Sequence, residues 1–155
     1  MIRIKQNYNA VDGEINVVIL SLKDRLFTPV GESLSWLIIF TNDYTKRESS
    51  CIIQNYDNSI TPVDDKYAVR ITEVTNLNPS FDRTAGEIKL SPVGSWSYEI
   101  YQQDSLTNLD KDSVRVKGLV ESGKAYVSPY SDAQKEVQYT QYSDTDNDTN
   151  YIYVE

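Results

Sequence analysis

The chain has 155 residues, a formal net charge of −8, 12 tyrosines, one cysteine and no histidine. Its length admits one domain with a real core and an appended arm. Without histidine there is no Ser-His-Asp or Cys-His pair and no His-ligated metal site. A single cysteine excludes a disulfide within the chain. The acidity speaks against nucleic acid and against an anionic membrane surface, both of which need clustered Lys and Arg.

The opening MIRIKQNYNAVDGE has no apolar core of signal-peptide length, so synthesis and retention in a cytoplasm are expected. Residues 1–13 are polar and read as an extended segment. INVVILSL (15–22) reads as a strand. KDRLFTPVGES (23–33), with Pro29 and Gly31, reads as a short strand or a loop with a turn. LSWLIIFTND (34–43) is a strand with Leu34, Trp36, Ile38 and Phe40 on one parity and Leu37 and Ile39 on the other. Both of its faces must be covered, by a second sheet or by a neighbouring subunit. It also holds the longest strongly apolar run, far short of a membrane span.

SSCIIQNY (49–56) is the next strand, and Cys51 within it reads as a small buried hydrophobe. DNSITPVDD (57–65) reads as a loop, and YAVRITEV (67–74) as an alternating strand. GEIKLSPVG (86–94) gives a short strand with Ile88 and Leu90 inward. GSWSYEIYQQ (94–103) alternates Trp96, Tyr98 and Ile100 against Ser95, Ser97 and Glu99, the pattern of a half-buried antiparallel strand. In residues 113–127, Gly118 marks a bulge or bend and Gly123 a turn. No window carries a sustained helical apolar period. About eight strands at this spacing predict an all-β fold, a two-layer antiparallel β-sandwich of Ig-like or jelly-roll-like type over residues 14–128.

Residues 129–155 differ in composition. They hold six acids against one base, Lys135, and few aliphatics before the final YIYVE. This is read as a polar acidic arm. Tyr151, Ile152, Tyr153 and Val154 form a β-prone end suited to strand addition on a sheet edge, of this chain or another, or to a last strand of its own sheet. Asp144, Asp146, Asp148 and Glu155 fall at the spacing of calcium ligands in an EF-hand loop. Thr149 stands where that loop needs glycine, and QKEVQYTQY upstream has no apolar helical face. These four are therefore weak metal candidates, and a solvated tether is the plainer reading.

Paired carboxylates at Asp64 and Asp65, and at Asp110 and Asp112, lie in turn-rich loops where aspartate serves the turn. They are read as turn residues rather than as an acid–base pair. No catalytic residue and no cofactor-binding motif is expected, and the chain is read as a non-enzyme. Trp36 and Trp96 share a parity with aliphatic strand residues and are read as core. Tyr101, on the opposite parity, is the better candidate for a partner contact.

The order LSWLIIFTNDYTKRESSCII, YAVRITEV, GEIKLSPVGSWSYEIYQQDSLTNLD and VKGLVESGKAYV resembles a group of small virion structural proteins of tailed bacteriophages, including the crAss-like phages of gut Bacteroidota. The resemblance covers roughly residues 15–128, and its most specific piece is a hairpin reading W(x)Y(x)IY. It implies a β-sandwich that decorates the phage head as an auxiliary capsid protein. The implied partner is the major capsid protein or another virion protein, with copies arranged by the symmetry of the particle. A neck or tail protein and a carbohydrate-binding module are the competing readings. Residues 1–13 and YIYVE are the expected contacting arms.

Overall fold

The computed structural model describes residues 1–6, 14–21, 35–54, 60–63, 66–75 and 80–129. Among the described residues nine strands build two sheets: β1 (Ile2–Lys5), β2 (Glu14–Leu20), β3 (Ser35–Asn42), β4 (Glu48–Gln54), β5 (Ile60–Val63), β6 (Lys66–Glu73), β7 (Glu87–Ile88), β8 (Gly94–Gln103) and β9 (Val116–Ser128). One sheet runs β1-β9-β8-β3-β4. The other runs β2-β6-β5, and β7 pairs with β6 beyond the end of β5. The expected all-β sandwich is therefore present. Its pairings are antiparallel except for β1 with β9 and β6 with β7, which are parallel. Among the described residues no helix is long and apolar enough to cross a membrane.

The core follows the alternation of the strands. Trp36, Ile38 and Phe40 of β3 face inward with Trp96, Tyr98 and Ile100 of β8, against Val18, Leu20, Val69 and Ile71 of the second sheet. Phe40 and Tyr98 stand directly opposite across the β3–β8 ladder, with ring centroids 6.2 Å apart and planes tilted by 46°. Such tilted pairs add to the burial itself. Both tryptophans are core, as their parity requires. Trp96 Nε1 donates to the Pro92 carbonyl at 3.0 Å.

The second apolar face of β3 is covered in a way the sequence did not show. Leu37, Ile39 and Ile52 form a small separate cluster on the outer face of the five-stranded sheet, with Tyr101 and Leu109 packed against it. Neither a second sheet nor another subunit does this. The cover comes from the segment between β8 and β9, which folds back over the sheet. Asn108 fastens it, donating from Nδ2 to Gln103 Oε1 and to the Asp110 carbonyl, both at 2.8 Å.

Several expectations change at this level. Residues 60–63, read as loop, form β5, whose Pro62 sits on an outer strand where a missing N–H is tolerated. The segment likened to a hairpin is not one: β7 belongs to one sheet and β8 to the other, so the chain crosses the sandwich between them. Gly118 does lie in a bulged stretch, where the β8–β9 register shifts twice. Gly123 is no turn. It lies inside β9 opposite Tyr98, and a Cβ there would stand 2.8 Å from Tyr98 Oη. The glycine makes room for the tyrosine ring, whose hydroxyl donates to Glu121 Oε1 at 2.8 Å. Glu121 Oε2 in turn accepts from the Ser21 amide at 2.7 Å and so ties the two sheets together.

Gly123→Ala is expected to lower the unfolding free energy by about 1–3 kcal/mol, the usual cost of overpacking. Denaturant titration reads this, and Tyr98→Leu in the same chain should recover part of the loss. Purely additive effects would contradict the packing described.

Candidate interaction surface

Two edges of the sandwich are managed differently. At β4, Arg83 covers the outer edge: its Nε donates to the Ser50 carbonyl at 2.8 Å, and its guanidinium also reaches Ser50 Oγ. Gln54 Nε2 donates to the Thr84 carbonyl at 3.0 Å, and Ser49 Oγ to the Lys89 carbonyl at 2.7 Å. An edge bonded in this way is a poor template for another strand.

The opposite side, where β1 and β2 meet, is more open. Asn16 joins the two strands as a backbone mimic. Its Oδ1 accepts from the Lys5 amide at 2.8 Å and its Nδ2 donates to the Lys5 carbonyl at 3.1 Å. Outside this clamp lies a shallow groove of about 670 Å³, lined by Arg3, Lys5, Ile15, Val17, Tyr126 and Ser128 among others. The apolar wall continues along β2. Ile15, Val17 and Ile19 are 59%, 60% and 49% exposed, every second residue on the outer face of the strand. Their neighbours on β6 are Thr72, Arg70 and Ala68. Arg3 and Lys5 form no ion pair among the described residues, whose four salt bridges all lie elsewhere. The groove is therefore apolar along one wall and cationic along the other.

The residues singled out from sequence are distributed as follows. Tyr101 is half-buried, packed on the outer cluster, and its hydroxyl donates to Glu99 Oε2 at 2.8 Å. Burial first, then the Glu99 carboxylate, pushes its phenol up to about 12. It is a packing residue rather than the exposed contact expected. Asp110 and Asp112 serve the turn between β8 and β9, where Asp110 Oδ1 accepts from the Asp112 amide at 3.0 Å. Residues 2–5 of the expected N-terminal arm form β1, and Ile4 is fully buried in the core. Asp64, Asp65, Asp144, Asp146, Asp148, Tyr151, Ile152, Tyr153, Val154 and Glu155 lie outside the described residues.

Among the buried polar residues that the sequence did not single out, two hold elements together. Glu73 is fully buried at the end of β6. Its Oε1 accepts from the amides of Leu90 and Thr75 at 3.0 and 3.1 Å, which pins the crossing toward β8. Asn16 is the other. Its one signal was a lone amide within an otherwise aliphatic strand, INVVIL.

Cys51 is fully buried, and burial pushes its thiol from 9.0 up to about 12, against a smaller opposing effect of Arg83. No family model matches the chain, and no curated protein or solved structure matches it.

Two outcomes follow. The folded thiol holds its proton more tightly than the unfolded one, so its contribution to stability is complete below pH 9 and is lost as the pH rises toward about 12. Cys51→Ala should flatten this part of the alkaline stability profile, and the native thiol should resist an exposed-thiol reagent that labels the unfolded chain at once. Asn16→Ala should cost about 1–3 kcal/mol, because the Lys5 amide and carbonyl both lose their partner. Hydrogen exchange should then quicken at Lys5, while the Leu90 amide held by Glu73 keeps its protection.

Proposed function

We propose that this chain is a non-catalytic assembly protein that works by adhesion, a virion structural protein of the tailed-phage kind that decorates the head. The observation carrying the adhesive part is the exposed row Ile15, Val17 and Ile19 on β2. Isolated exposed aliphatics are ordinary, but a contiguous row beside a groove marks a surface that another protein covers. The virion part is supported by the resemblance of residues 15–128 to small phage structural proteins. Composition is in keeping with this, since the chain lacks histidine and its one thiol is buried.

In this reading copies sit on the capsid lattice and bury the β2 face against the major capsid protein or a neighbouring virion protein. The sandwich supplies a stiff body, and the fit depends on shape and apolar contact rather than on chemistry.

Quantitative mass spectrometry of purified particles tests the location. Hundreds of copies per particle are expected for head decoration; about a dozen would move the protein to the neck or tail, and absence would overturn the virion reading. Val17→Glu tests the surface. The side chain is exposed, so folding should be unaffected. Burying the new carboxylate at an interface should weaken particle binding by at least about tenfold. Unchanged binding would remove the β2 face from consideration.

A further inference from the structure

The groove at the β1–β2 corner carries two kinds of side chain, each on its own wall. Along β1 stand Arg3 and Lys5, both exposed. Along β2 stand Ile15 and Val17, with Ile19 continuing the row. Met1 and Tyr126 add exposed apolar surface at the same place. No carboxylate lines the groove, although the chain as a whole carries a net charge of −8. Both walls repeat at every second residue, the period of a strand. Backbone groups are on offer as well, because β1 is an outermost strand of its sheet. On the β9 side the Gln6 amide donates to the Ser128 carbonyl at 2.9 Å. On the other side Asn16 holds the amide and carbonyl of Lys5. Such groups alternate sides along a strand, so Arg3 turns its amide and carbonyl away from β9, as Lys5 does.

We propose that this groove takes an extended segment of a partner protein in which apolar and acidic side chains alternate. The inference rests on the assembly reading, which puts a partner on the β2 face, and adds the chemistry of what that partner inserts. An extended segment sends successive side chains to opposite sides. One set lies against Ile15 and Val17, and the carboxylates of the other reach Arg3 and Lys5 in charge-assisted hydrogen bonds. β1 is four residues long, about 13 Å, so four or five partner residues fill the groove. Arg3 offers one backbone rung, and Asn16 already occupies the next, at Lys5. Side chains therefore hold the segment more than ladder bonds do, and they set its specificity. A second copy of this chain fits badly. An isologous pair brings the same patch together from both sides, which sets Arg3 and Lys5 against their own counterparts. A single-chain amphiphile matches the apolar wall but has no period of two to match the paired cations.

The test follows amide chemical shifts of the ¹⁵N-labelled full-length protein on titration with short peptides blocked at both ends. The probe is a hexapeptide alternating glutamate and valine. It should move the amides of Arg3, Ile15, Val17 and Tyr126. Its affinity should fall about fivefold or more when Arg3→Gln and Lys5→Gln are combined, both being exposed side chains, and also in about 0.5 M salt. A hexapeptide alternating lysine and valine, and one with three glutamates followed by three valines, should each bind at least about fivefold more weakly than the probe. Equal binding of the lysine peptide would overturn the acidic partner, and equal binding of the block peptide would overturn the alternation. No shift at these amides with any peptide would remove the groove as the site. Dodecanoate moving them where the probe does not would make the groove an amphiphile site instead. Shifts that grow with protein concentration alone would make a second copy the occupant. Each of these results sinks the inference and leaves the assembly reading to its own tests, the copy number and the effect of Val17→Glu on particle binding. Absence from particles, with the peptide preference intact, would sink the virion reading alone.

Discussion

β3 is apolar on both faces, with Trp36, Ile38 and Phe40 on one and Leu37 and Ile39 on the other, and the architecture follows from covering it twice. The inner side is met by the second sheet. The outer side is met by a piece of the same chain, the segment between β8 and β9, which packs Leu109 against the cluster of Leu37, Ile39 and Ile52. A polar loop can lie against a sheet only if its own backbone groups are satisfied. The hydrogen bonds among Ser105, Asn108 and Asp110 provide for that. Lys111 reaching Glu99 and Lys117 reaching Asp104 add exposed charge pairs of small value.

Once the large sheet is closed on both faces, its two borders diverge in character. The β4 border is bonded by Arg83 and the residues around it and offers little to another chain. At the β1 border Asn16 of β2 clamps the Lys5 amide and carbonyl of β1. Beyond that asparagine lies the row of aliphatic side chains that the assembly reading turns on. The asymmetry gives the molecule one sealed border and one more open border.

Much of the fold was legible because alternation is a strong signal where one face is wet. β8 was read with its observed limits, and the inward placement of Trp96, Tyr98 and Ile100 followed from parity alone. β5 was missed because a four-residue strand containing proline, among Asp, Asn and Ser, has the composition of a loop. Tyr101 was misread for a different reason. Parity shows which face of a sheet a side chain occupies, but not whether a loop distant in sequence will cover that face. Gly123 was taken for a turn because a glycine in sequence does not reveal the ring packed on it. The groove was beyond reach altogether, since it joins β1, β2 and the end of β9, more than a hundred residues apart along the chain, through the side chain of Asn16.

The parallel pairing of β1 with β9 has a mechanical consequence. The two strands run in the same direction, with Ile2 beside Ala125 and Lys5 beside Ser128. A pull applied between residue 1 and residue 129 therefore drags the strands past each other along their length. The ladder bonds between them are then loaded together, in shear, instead of parting one at a time as they would in a peeled hairpin. A sandwich closed by such a pair resists stretching along this axis far better than its modest number of hydrogen bonds suggests. A body fixed at both ends to a shell under tension would carry load through that seam.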